Sequence, residues 1–158
     1  MTESRENEVD ELWASFDELD EATFLARMDD LATKLPPAVA AFERASALDS
    51  TGHEHDAVRL YEEALELGLE PPLRRRAVIQ LASSLRNVGR ADESVALLRA
   101  ERDNASDDLD DAVEAFLALS LVDTRREREA VAVALAALAR HLPRYRRSLA
   151  SYARDLSG

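Results

Sequence analysis

The chain contains no cysteine, and its 158 residues include only four glycines, five prolines and 5% aromatics. Without cysteine there is no disulfide framework, no thiolate zinc site and no cysteine nucleophile. Scarce glycine and proline beside 46% hydrophobic residues exclude a disordered tail. Long apolar runs are also missing. The longest, Ala130 to Ala139, has ten residues, where a membrane helix needs about twenty. It reads as a helix buried on several sides, and no membrane partner is expected. The opening MTESRENEVD lacks the basic start and apolar stretch of a secretory signal, so a cytoplasmic location is expected. Lysine is reduced to Lys34 against 19 arginines, the pattern of GC-rich coding. Acids outnumber bases 32 to 20, for a net charge of −12. That excess opposes general binding to a phosphate backbone, so no nucleic-acid partner is expected.

The charge is unevenly placed. Residues 1–72 hold 19 acids and 5 bases, whereas residues 125–158 hold 3 acids and 8 bases. Such polarity along a chain biases how ends or subunits meet. A length near 150 residues suits one domain with its own core.

Almost every segment has helical spacing, and none shows the sustained alternation of a half-buried strand. Asp20 is placed as an N-cap, with Leu19 before it and Phe24 at the staple position. Phe24, Met28, Leu31 and Leu35 then form one apolar stripe that stops at Pro36-Pro37. Upstream, Glu8 to Phe16 reads as a shorter helix carrying Trp13 and Phe16, within an acidic segment 1–19 that is partly helical or flexible. Helices are predicted at Ala38–Leu48, Asp56–Leu67, Leu73–Val88, Ala91–Arg102, Asp107–Val122 and Glu127–His141. A last helix runs from Pro143 to Leu156, with proline in its first turn. Short links make successive helices antiparallel neighbours.

An internal repeat emerges when the pairs are superposed. Ala57, Tyr61 and Ala64 after Gly52 match Ser94, Leu98 and Glu101 after Gly89. Ala45 and Leu48 before the first glycine match Ala82 and Leu85 before the second. A third break falls near Asp123 or Arg125, followed by Ala130, Ala134 and Ala137. This pattern resembles the tetratricopeptide repeat family, whose unit is about 34 residues of helix, turn and helix. More narrowly, the chain is similar to compact bacterial three-repeat members ending in an arginine- and tyrosine-bearing helix, here LPRYRRSLASYARDL.

The resemblance implies an all-α fold: a right-handed superhelix of antiparallel helix pairs, with an N-terminal helical extension and a C-terminal capping helix. The repeat domain covers 20–158, with repeats at about 38–70, 72–105 and 107–141 and the cap at 143–156. The cap's stripe is read as Leu142, Tyr145, Leu149, Tyr152 and Leu156.

Sites of chemistry are few. His53-Glu54-His55-Asp56 is the one dense set of potential metal ligands. At an inter-helix turn its acids suit the next helix's N-terminus, and no metal or other cofactor is expected. There is no Gly-x-Ser-x-Gly elbow, phosphate loop or dinucleotide fingerprint, so no enzyme is expected. Arg76, Gln80, Ser83 and Asn87 recur at steps of four, three and four, making a polar stripe. In the family the first helices line a concave groove. The resemblance therefore implies a partner-binding face of Arg76, Gln80, Ser83, Asn87 and Arg86, with Glu43, Ser46 and Ser50 from repeat one and Asp110 and Glu114 from repeat three.

The function expected is a non-catalytic scaffold that captures an unidentified protein or peptide as a homodimer. Two alternatives stay open. The protein's own N-terminal helices, with Trp13 and Phe16, fill the groove and leave only self-association; or His53 and His55 sense a small ligand or metal.

Overall fold

A computed structural model describes residues 3–104 and 106–158. Met1, Thr2 and Ala105, the predicted end of the second repeat, lie outside the described residues. Among the latter there are nine α-helices and no strand: α1 Glu3–Ala14, α2 Glu21–Ala32, α3 Pro37–Ser50, α4 Glu54–Glu66, α5 Leu73–Asn87, α6 Ala91–Asn104, α7 Asp110–Asp123, α8 Glu127–Ala139 and α9 Arg146–Ser157. They divide into two units, Met1–Ser84 and Leu85–Gly158.

In the first unit α1 is longer than its sequence pattern indicated, and a 3-10 turn at Phe16–Glu18 follows it. Val9 and Leu12 of α1 are buried with Phe24, Met28, Leu31 and Leu35. Trp13, Phe16 and Phe24 stack within 4.8–6.0 Å of one another. Asp20 caps α2 as its sequence predicts: Thr23 N–H and Thr23 Oγ1 both donate to its carboxylate, at 3.0 and 2.6 Å. The hydrogen bonds hold Asp20 below the usual carboxylate range. Pro37 occupies the first turn of α3, where the missing N–H costs nothing. α3 packs on α4, and Ala41, Ala45, Ala57 and Ala64 of these two helices are all buried. Small side chains let the two helices close, and Phe42 and Tyr61 then fill the space with ring centroids 6.2 Å apart. Burying each such ring stabilises by about 1.5–3 kcal/mol.

In the second unit α6, α7, α8 and α9 pack in sequence order. Val95, Leu98, Val113, Leu117 and Leu121 form its dry centre. Ser94 and Ser120 are buried there together, their hydroxyls 2.7 Å apart, and Ser120 also donates to the Phe116 carbonyl at 2.8 Å. α8 is less covered than its apolar run suggested. Ala130, Ala132 and Ala139 are buried, yet Val131 and Leu138 are half exposed.

One turn occurs three times. Gly52 and Gly89 both have φ +82°, and Arg125 has φ +59°. The next residue's N–H donates to the carbonyl five back: His53 to Leu48 at 2.9 Å, Arg90 to Leu85 at 2.8 Å, Arg126 to Leu121 at 2.8 Å. The left-handed residue's own N–H donates three back, to Asp49, Arg86 and Val122. This is the Schellman arrangement, which satisfies carbonyls that a helix end leaves open. Of the two candidates for the third break, Arg125 is therefore the counterpart of glycine.

The final helix departs from expectation. It starts at Arg146, not Pro143, because Tyr145 adopts a left-handed φ of +68°. The stripe shifts accordingly. Tyr145 and Tyr152 are exposed, and the covered side is Ala153 with half-buried Leu149, Ala150 and Leu156.

Candidate functional site

Counting from the left-handed residue of each turn aligns the first helices of the three pairs. Arg76, Gln80, Ser83 and Asn87 of α5 correspond to Val39, Glu43, Ser46 and Ser50 of α3. In α7 the same places are Ala112, Phe116, Leu119 and Asp123. Asp110 and Glu114, assigned to this face from sequence, fall out of register. The glycine that would have set the register is an arginine.

In the first unit five residues of the expected face meet: Glu43, Ser46, Ser50, Arg76 and Gln80. They line a cavity of about 280 Å³ with Asp10 and Trp13. Arg76 is exposed, and its guanidinium carbon sits 5.4 Å from the centre of the Phe42 ring. Such a cation over an aromatic face is held electrostatically. Gln80 is half-buried, with Oε1 3.3 Å from the Ser46 hydroxyl, and Tyr61 donates to that same hydroxyl at 3.4 Å. Burial pushes the Tyr61 phenol well above its ordinary range. Nearby, Ser84 donates to Asp49 at 2.8 Å, and burial raises Asp49. A second cavity of about 540 Å³ shares Asp10, Glu43 and Arg76 and adds Val9, Val39, Leu69, Pro71, Pro72 and Leu73.

Glu43 is not an open groove residue. It is buried, and its Oε2 accepts a hydrogen bond from Trp13 Nε1 at 2.9 Å. Burial raises its pKa, opposed by the Trp13 bond and by Arg76. The helix α1 thus lays an indole against the middle of α3.

Further along α5, Ser83 is half-buried and Asn87 exposed, and neither lines these cavities. Within the second unit Arg86 is half-buried and pairs with Asp123 at 2.5 Å. The register shows what the polar stripe concealed. The corresponding α7 positions are apolar, with Phe116 half-buried and Leu119 half exposed. These side chains were legible as apolar residues, but only the Arg125 turn assigns them to the face.

The histidine turn holds no assembled ligand set. His53 Nδ1 lies 3.2 Å from Thr51 Oγ1 and its Nε2 3.6 Å from Glu21, while His55 is exposed. Among the described residues no group of three or more His, Asp or Glu side chains is placed to hold a metal ion. No helix of the described residues is long and apolar enough to cross a membrane.

Helix pairs joined by one repeated turn, with the small residues Ala57, Ser94 and Ala130 buried at corresponding positions, define an all-α helical repeat protein. The model of the tetratricopeptide repeat family matches residues 38–156, and the chain belongs to that family. No curated protein and no solved structure matches it.

Proposed function

We propose that this protein is a non-catalytic interaction module of the cytoplasm that takes a peptide or helix of a partner protein on the first-helix face, and that it works as a homodimer. Membership of the repeat family supports the protein-binding part of this reading. The observation that carries the site is the 280 Å³ cavity where Glu43, Arg76, Gln80 and Trp13 meet. It joins a charged donor, an amide and an aromatic wall, the mixture from which a few side chains supply most of a binding energy. Arg76, Gln80, Ser83, Asn87 and Arg86 donate hydrogen bonds to the partner. Pull-downs with Arg76→Glu and Asn87→Ala test the assignment. Each loses partners that the wild type retains, and full retention by both variants overturns it.

A second reading has its own support. The Trp13–Glu43 hydrogen bond supports a reading in which α1 occupies the first repeat's face. On this reading α1 is a built-in competitor, and deleting residues 1–19 increases partner capture. An unchanged binding profile after deletion removes it.

A further inference from the structure

The second helices of the three pairs share a register, and one face of them is covered twice and left open once. Six positions after the left-handed turn stand Val58 in α4, Val95 in α6 and Val131 in α8. The first two are 3% and 5% exposed, the third 48%. Nine positions after the turn, Tyr61 and Leu98 are wholly buried, whereas the counterpart in α8 is an exposed alanine, Ala134. Leu138 follows at 50% exposed. Val131, Ala134 and Leu138 recur at steps of three and four, so they form one stripe. It lies apart from the buried Ala130, Ala132 and Ala139, while α8 packs on α7 and α9.

We infer that this stripe of α8 is the homodimer interface, and that its occupant is the same stripe of a second copy. The inference rests on the dimer reading above and gives it a face. Three observations choose the occupant. The face is of the kind that this chain covers with helix in its two earlier pairs. Among the described residues, the large hydrophobics left exposed are Leu67 in the first unit and six in the second, from Leu119 to Tyr152. The first unit's opening helix α1 turns Glu6, Glu8, Asp10 and Glu11 outward, so it offers no apolar face for a head-to-tail contact. The stripe's apolar match is therefore itself, which is the condition for a two-fold, self-complementary contact.

The stripe also has the layout that an antiparallel crossing needs. Ala134 at its centre is small enough to let two helix axes approach to the short end of the usual ~8–10 Å range. Val131 and Leu138 flank it and interdigitate with their equivalents.

The absence of cysteine makes the test direct. Ala134→Cys, the sole thiol in the chain, is expected to form a disulfide-linked dimer under mild oxidation. Ala26→Cys, exposed on α2, is expected to remain monomeric on denaturing gels. In sedimentation equilibrium the wild type is a dimer, and Val131→Glu/Leu138→Glu weakens dimerisation at least ~100-fold with unchanged helicity by circular dichroism. A wild type that stays monomeric at every concentration overturns both the dimer and this face. A dimer that survives Val131→Glu/Leu138→Glu, or that Ala134→Cys fails to cross-link, overturns the face alone. If the double variant loses helicity, the cross-linking decides.

Discussion

Trp13 Nε1 donates to Glu43 Oε2 across 2.9 Å, joining residues thirty apart in the chain. The acceptor is a buried carboxylate, so the bond fixes where α1 lies on α3 and leaves Glu43 paying for its charge. Burial is the largest influence on it, and it raises the folded pKa above the ordinary 4.5. The folded state then holds this proton more tightly than the unfolded state. Stability from this group is greatest below pH ~4.5 and falls as pH rises through the raised value. Glu43→Gln keeps an acceptor for Trp13 and removes the charge. The variant is expected to be more stable than wild type at pH 7, with the gap closing as pH falls toward the ordinary value of 4.5. Urea midpoints at the two pH values check this.

Trp13 is the single tryptophan, so selectively excited tryptophan emission reports on α1 alone. Trp13→Phe retains the stacking with Phe16 and Phe24 but strands Glu43 without its donor, at a cost of about 1–2 kcal/mol. Trp13→Ala also loses the ring packing, and about 3 kcal/mol is expected. Chemical denaturation followed by circular dichroism measures both. Equal losses in the two variants would show that the hydrogen bond, and not the packing, seats the helix.

Arg125 sits at φ +59° in the place of Gly52 and Gly89. A side chain in that region costs about 1 kcal/mol or more, which glycine avoids. Arg125→Gly is therefore expected to raise stability by about 1 kcal/mol. Gly89→Ala is expected to lower it by a similar amount, and a Cβ there meets nothing within 4 Å, so the loss is purely one of backbone torsion. Thermal midpoints for the pair settle the matter. A destabilised Arg125→Gly would mean that the arginine side chain has a stabilising role at this turn.

Asp111 takes hydrogen bonds from Arg140 and from His141 Nε2, the latter at 2.6 Å. These partners hold its pKa below the ordinary 3.8. The contribution is present above that value and lost as pH falls through the lowered one. Asp111→Asn is expected to lower the melting temperature at pH 7 and to match wild type once the pH has fallen below the lowered value. Because the side chains are exposed, added salt should narrow the difference at pH 7.

The helices were legible because their apolar period is strong and their ends are marked, as by the cap at Asp20 and the stop at Pro36-Pro37. The repeat was legible through Ala57, Tyr61 and Ala64, whose sizes answer to helix–helix distance. Glu43 was placed on a binding face, since a carboxylate on a first helix normally points to water; its pairing with Trp13 depends on a contact thirty residues away. The third repeat's face was misread for a torsional reason. Without glycine at Arg125, nothing local marks the left-handed residue from which the others are counted. Tyr145 hid the start of α9 likewise, because a bulky residue at positive φ is contrary to its own preference.

The thrice-used turn has an engineering consequence. Successive turns use the same torsion and the same two hydrogen bonds, so the stretch from one turn to the next, α4–α5 or α6–α7, is a cassette with standard ends. Exchanging or duplicating a cassette at these joints changes the length of the array without inventing a new connection. The joint at Arg125, being the one that works against its residue's preference, is where such an exchange gains most from a glycine.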